Sequence, residues 1–319
     1  MMANTYVLAL HGGAGTIAPG SAADEAPYRA ALLDALVAGQ AVLERGGGAL
    51  DAVIASVVSL EDCPLFNAGR GAVFTSDEQN ELDAGVMDGS SLAAGAVATV
   101  RTIRNPILAA LEVLRDGKSV MLGGDAAERF ARERGLQIVE PSYFATPHRL
   151  AQLRAVQAAL GNRAVVDHDA ASAMREDSQR SGTVGAVARD RHGHLAAATS
   201  TGGLTNKMPG RISDSSIVGA GVYANDATCA VSCTGTGERF IRACVAYDIH
   251  ARMHYLGQDV AEAAEASIVH GLEPLGGRGG VIVVSRDGAM AMPFNSTGMY
   301  RAWVRDRDPA RVAVFAADR

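Results

Sequence analysis

Residues 161–182, GNRAVVDHDAASAMREDSQRSG, carry many charges and small side chains with no sustained apolar periodicity, and they stop abruptly where the strand-like TVGAVARD begins. So long a structureless run inside a compact domain points to function, disorder or processing. We read it as a mobile linker that is cut at its end and divides the chain in two. Before it, YVLALHGGAGT is a buried-strand pattern running into a glycine-rich turn. Helical spacing then holds through APYRAALLDALVAGQAVLE until Gly46, Gly47 and Gly48 stop it. Further helices are expected over 49–60, 106–116, 125–134 and 148–160, with strands in ELDAGVMDG and SLAAGAVATV. Beyond the linker come the strand patterns TVGAVARD, HLAAATST, SIVGAGVYA and ATCAVSCT. Helices near 238–253 and 258–269 follow, and then the strands GVIVVSRD and AMAMPF. Strands cluster with strands, which favours an α+β class: antiparallel sheets, two of them sandwiched between helical layers.

A chain of 319 residues, 48% hydrophobic and 20% charged, has ample material for a large core. A net charge of −6 without a long basic run gives no footprint for a phosphate backbone or an anionic membrane, so no nucleic-acid or lipid partner is expected. No apolar run approaches a membrane span, and MMANTYVLALHGGAG lacks the basic start of an export signal. The four cysteines make no CxxC motif, so reduced thiols in a cytoplasmic setting are expected. Cys229 and Cys233 share one strand face and read as core.

The chemistry starts at the linker's end. If TVGAVARD and HLAAATST form a hairpin centred on His192, Thr183 lies opposite Thr201 and two hydroxyls meet at one sheet end; a bulge would shift that register. A threonine hydroxyl is a weak nucleophile without an adjacent base. When the threonine is N-terminal, its own α-amine, with a pKa near ~8, supplies one. An internal Thr183 gains that amine only if the Gly182–Thr183 bond is cut, and the same hydroxyl is suited to cut it. Downstream, Arg211 and Asp214 in NKMPGRISDSS suit the carboxylate and ammonium of an amino-acid head group. Thr234 and Gly235, where AVSCTGTGE passes from strand to helix, suit an oxyanion site. Taken singly, each of these features has a bland reading: a strand start, two solvated charges, a tight connection. His250 and His254 are spaced i, i+4, but Ala251 stands where a HExxH metal site needs glutamate, so they read as a surface pair.

Together the segments HGGAGT (11–16), CPLFNAGRGAVFT (63–75), ELDAGVMDG (81–89), GTVGAVA (182–188), ATSTGGLTNKMPGR (198–211), VGAGVYA (218–224) and CTGTGE (233–238) resemble the plant-type L-asparaginases and isoaspartyl peptidases, which are N-terminal-nucleophile hydrolases. The resemblance implies a single domain with a four-layer αββα sandwich, autoproteolysed into 1–182 and 183–319, with two such pairs associating as (αβ)2. It implies Thr183 as nucleophile, assisted by Thr201, with Thr234 and Gly235 at the oxyanion. Arg211 and Asp214 would grip the substrate, Gly237 would line the pocket, and Asn67 would sit near the nucleophile. It also implies a sodium ion held by backbone carbonyls of Leu60, Glu61, Cys63, Phe66, Ala68 and Arg70, and no organic cofactor. The substrates implied are L-asparagine and β-aspartyl dipeptides. Two departures from the family pattern, Ser213 for a glycine and Ser216 for a proline, would strain the Asp214 loop if position 213 needed a positive φ. The alternatives are a glycosylasparaginase and, in a different class, a phosphate-binding protein using HGGAG and GGRGG (276–280).

Overall fold

The computed structural model describes residues 5–15, 22–160 and 182–318. Thr16 and residues 161–181, most of the expected linker, lie outside them. The fold is mixed α/β. The larger sheet contains β1 (Val7–Gly15), β2 (Leu82–Asp88), β3 (Ala94–Val100), β4 (Met121–Gly123), β5 (Val184–Arg189), β6 (Leu195–Thr201), β11 (Gly298–Arg305) and β12 (Arg311–Ala313). Their order is β12-β11-β1-β5-β6-β2-β3-β4, antiparallel throughout except between β3 and β4. A smaller sheet, ordered β10-β9-β8-β7, joins β7 (Val222–Ala224), β8 (Cys229–Gly235), β9 (Gly279–Ser285) and β10 (Met290–Ala291).

Successive side chains of a strand point to opposite faces, and β1 is apolar on both because both are covered. Leu8 and Leu10 enter a core shared with α1 (Ala22–Glu44), α2 (Ala49–Asp62) and α3 (Pro106–Asp116). Val7 and Ala9 enter a second core, with Val231 of β8, Val283 of β9 and Ile249 of α7 (Val245–Leu256). Strands β5 and β6 accordingly touch both α2 and β8. Cys229 and Cys233 are fully buried, as their shared strand face suggests.

The α3 boundaries match the expected ones: Pro106 opens it, where a missing N–H costs nothing, and Gly117 closes it at φ 68°. α4 (Gly124–Glu133) and α5 (Pro147–Leu160) fall within a residue of expectation. Elsewhere the pattern misled. HGGAG is paired strand with one register shift between His11 and Gly13, instead of a turn. The single helix expected over 238–253 is two, α6 (Gly237–Ala243) and α7, because Cys244 adopts a left-handed conformation at φ 48°. α8 (Val260–Ala266) gives way to a π-helical stretch from Ser267 to Leu272. Most of SIVGAGVYA is turn, with Gly219 at φ 88° donating its N–H to the Val222 carbonyl. Strands β4, β11 and β12 were not anticipated.

Candidate active site

The β5–β6 hairpin pairs Val184 with Ser200 and Arg189 with Leu195, without a bulge. The next step of that register brings Thr183 and Thr201 together: Thr183 Oγ1 donates to Thr201 Oγ1 at 3.0 Å, and both residues are buried. Thr201 Oγ1 also accepts from the Gly203 N–H at 3.0 Å, which fixes its position.

Gly182, on the other side of the candidate scissile bond, lies against β1. A Cβ on Gly13, at φ 111°, would overlap the Gly182 backbone. One on Gly182 would stand 2.9 Å from both the Ala14 carbonyl oxygen and Thr234 Oγ1. Glycine at both positions allows this approach. Thr234, near the end of β8, accepts the Ala14 N–H at 3.1 Å; accepting there, its hydroxyl keeps a proton to donate toward the junction. Gly235 follows at φ 149° and Gly237 begins α6.

Arg211 and Asp214 converge from one loop. Arg211 Nε donates to Glu238 Oε1 at 2.9 Å, while its Nη2 and Asp214 Oδ2 are buried without a hydrogen-bond partner. A Cβ on Gly237 would stand 2.8 Å from both Arg211 Nη2 and Asp214 Oδ1, and one on Gly203 3.1 Å from Arg211 Nη1. Glycine backbone thus borders the pair on two sides, and Gly203 links it to Thr201. A cleft of about 330 Å³ opens beside Arg211, lined by Leu204, Lys207, Met208, Thr236, Glu238 and Arg239. Burial pushes the Asp214 carboxyl up to about 7, against the opposing charge of Arg211. Partial burial raises Glu238, but its hydrogen bond to Arg211, the charges of Arg211 and Arg239 and a backbone hydrogen bond together outweigh this and hold it below the ordinary value. Orphaned charged groups are costly unless a ligand completes them. A carboxylate for Arg211 and an ammonium for Asp214 would do so.

The departures from the family pattern cause no strain here. Ser213 sits at φ −84°, ordinary for serine, and donates its N–H to Asp83 Oδ2 at 2.8 Å. Asn67 lies beside the turn that follows Thr201. Its Nδ2 donates to the Gly203 carbonyl at 2.7 Å and its Oδ1 accepts the Val73 N–H at 2.9 Å, so it braces the turn after Thr201.

Sequence reasoning missed Lys207, which is fully buried and donates to the Glu81 and Gly202 carbonyls at 2.7 and 2.8 Å. Burial lowers its ammonium to about 8. It also missed His11, whose only signal was a lone histidine in an apolar strand. Where the end of α2 leads into the segment up to Gly71, a Cβ on Gly71 would stand 2.6 Å from the Pro64 carbonyl oxygen and 2.7 Å from that of Phe66, and one on Gly69 would overlap that of Glu61. Carbonyl oxygens therefore crowd around two glycines. Pro64 was not among the anticipated ligands, and the Glu61 oxygen already accepts the Arg70 N–H at 2.7 Å.

The rival sites fare worse. His250 is buried, not at the surface, and its Nδ1 pairs with Thr228 Oγ1 at 2.6 Å. Among the described residues no group of three or more His, Cys, Asp or Glu could hold a metal ion. HGGAG lies inside β1 with its ladder partners on β11, and GGRGG leads into β9, so neither opens a helix as a phosphate cradle does.

A family model described as asparaginase matches residues 4–314. An isoaspartyl peptidase of Salmonella typhimurium is 53% identical over 314 residues, spanning 98% of this chain and 99% of that protein. One from Escherichia coli is 54% identical over 311 residues, 97% and 96% of the two chains. An isoaspartyl peptidase/L-asparaginase of Xenopus laevis is 38% identical over 309 residues, 97% and 95%. With the paired threonines at the hairpin's end and a family match over nearly its whole length, the chain belongs to the asparaginase family.

Proposed function

We propose that this chain is an autocatalytically processed amidohydrolase that releases L-aspartate from L-asparagine and from β-aspartyl dipeptides. The observation that carries the reading is the unpaired Arg211 Nη2 and Asp214 Oδ2, buried one glycine away from the Thr183–Thr201 pair. In the precursor, Thr183 Oγ1 attacks the Gly182 carbonyl; the peptide becomes an ester, the Thr183 nitrogen is released as an amine, and water hydrolyses the ester. In the mature enzyme that amine takes the hydroxyl proton as Oγ1 attacks the side-chain carbonyl of the bound aspartyl group. Thr234, with Gly235, stabilises the oxyanion. The C–N bond breaks, the proton passes to the departing ammonia or amine, and water frees aspartate from the β-aspartyl ester. Arg211 and Asp214 read only the shared head group. The cleft beside Arg211 gives a peptide leaving group room, which favours activity on both substrates.

The same reading carries the αββα arrangement of an N-terminal-nucleophile hydrolase over one domain, supported by the two cores that flank β1, and pairing as (αβ)2. It assigns a cytoplasmic setting, supported by four unpaired thiols; no described helix is long and apolar enough to cross a membrane. It also assigns a sodium ion to the 60–70 segment, where the crowded carbonyls offer the hard oxygen donors that such a cation prefers and would brace the residues around Asn67.

Denaturing mass analysis tests the core of the proposal. Wild type should give two fragments, 1–182 and 183–319, and Thr183→Ala one intact chain with turnover reduced at least about a thousandfold. An uncut wild type with full activity would overturn it. Faster release from a glycosylated asparagine than from asparagine or a β-aspartyl dipeptide would move the substrate assignment to a glycosylasparaginase.

A further inference from the structure

His11 is fully buried in β1, with Gly185 of β5 on one side and Arg301 of β11 on the other. Its Nδ1 lies 2.9 Å from the main-chain carbonyl oxygen of Thr183, and its Nε2 lies 2.9 Å from Ser232 Oγ on β8 of the smaller sheet. Ser232 Oγ is in turn 2.7 Å from Thr199 Oγ1 on β6. Four polar groups therefore run from the candidate nucleophile across the contact between two sheets.

The protons in this run have one consistent arrangement for a neutral ring. A carbonyl oxygen only accepts, so Nδ1 carries the proton and donates to Thr183. Nε2 is then an acceptor, and Ser232 must donate to it. Thr199 Oγ1 has one proton for two acceptors, Ser232 Oγ at 2.7 Å and the Gly221 carbonyl at 3.1 Å, and with either choice Ser232 still donates its proton to Nε2. Burial, against the opposing hydrogen bond to Thr183, lowers the ring's pKa to about 3, so it is neutral at physiological pH. A buried network with every member satisfied holds one geometry. Gly185 makes room for it: a Cβ there would overlap Ser232 Oγ and stand 2.7 Å from His11 Nε2.

We propose that His11 is a positioning residue for Thr183, in which the Nδ1–H tautomer, locked by Ser232, holds the Thr183 main chain so that its nitrogen, Cα and hydroxyl keep the alignment that both self-cleavage and hydrolysis use. The inference rests on the reading of Thr183 as the nucleophile. An N-terminal residue has lost the peptide bond that anchored it on one side. Its carbonyl is the nearest main-chain group still available to fix the torsions that orient amine and hydroxyl toward each other. A loss of alignment on the order of an ångström costs about a hundredfold in rate.

The test uses the full-length chain as wild type, His11→Leu, His11→Asn and Ser232→Ala. The amide nitrogen of asparagine falls close to where Nδ1 stands, so His11→Asn keeps a donor for Thr183 and loses the contact to Ser232. His11→Leu should slow 182/183 cleavage and lower kcat on a β-aspartyl dipeptide about a hundredfold with KM unchanged, and His11→Asn should recover most of both losses. In ¹⁵N-histidine NMR at pH 7, wild-type His11 should carry its proton on Nδ1, and Ser232→Ala should shift part of that population to Nε2 while lowering kcat. Should His11→Leu fail to fold, the comparison of His11→Asn with Ser232→Ala and the tautomer measurement still decide. The proposal is overturned if folded His11→Leu cleaves and turns over like wild type, if His11→Asn recovers nothing, or if the wild-type proton resides on Nε2. A wild type that is active without being cut would instead remove the reading of Thr183 itself.

Discussion

An aspartate shut in beside an arginine, with one oxygen unpaired, should titrate far from the usual carboxylate range, and Asp214 does so at about 7. Its folded value lies above its unfolded one, so the proton it binds favours the folded state at low pH, and that stabilisation is lost as pH rises from the model-compound range through about 7. Without substrate at pH 8, Asp214→Asn should therefore melt above wild type in a thermal scan. The same charge is what an incoming ammonium needs, so wild-type kcat/KM should fall as pH drops below about 7. Asp214→Asn should raise KM about tenfold to a hundredfold, in line with a lost hydrogen bond between charged groups. Thr201→Val, which leaves the Thr183 hydroxyl without its partner at 3.0 Å, should lower kcat about tenfold in steady-state assays. Hairpin spacing made the meeting of Thr183 and Thr201 legible, whereas Arg211 and Asp214 stood out through the family resemblance, since alone they read as two solvated charges. His11, Lys207 and the bracing role of Asn67 were not legible, since each acts on backbone carbonyls brought from distant segments.

Among the elements, sequence pattern succeeded where local chemistry sets the boundary and failed where packing overrides it. Pro106 and Gly117 delimit α3 by their own backbone preferences. The break between α6 and α7 falls on Cys244, a residue with no intrinsic taste for a left-handed φ of 48°, so nothing in ERFIRACVAYDIHARMHYL announced it. Such a conformation costs a non-glycine residue roughly 1–2 kcal/mol. Cys244→Gly should therefore raise the melting temperature slightly and leave turnover unchanged, as long as the turn persists. The opposite is expected in β5: Gly185→Ala places a methyl where Ser232 and His11 meet. It should slow self-cleavage as measured by intact mass and also lower stability by about 1–3 kcal/mol, as overpacking does. β11 was overlooked because Arg301 and Arg305 interrupt the apolar run of a strand that pairs along the length of β1. Buried Arg301 is tolerated there because its guanidinium donates to the Met299, Val314 and Phe315 carbonyls.

Strand order settles what a cut at 182/183 would mean for the molecule. β1 comes from the part before Thr183, yet it sits between β11 and β5, both from the part after it; β6 in turn pairs with β2 from the first part. The two products are thus interleaved through one hydrogen-bonded sheet and the two cores on its faces. Cleaved protein should unfold in a single calorimetric transition, and its fragments should co-elute until denaturant is added. Two separate transitions would contradict this. The interleaving also bears on synthesis. A polypeptide started artificially at Thr183 would reach its fold with a vacant slot where β1 belongs, leaving β11 and β5 as facing unpaired edges about 10 Å apart, two strand spacings. Such edges invite pairing with other chains, so that half produced alone should aggregate, and adding the first half afterwards would come too late to thread it into place.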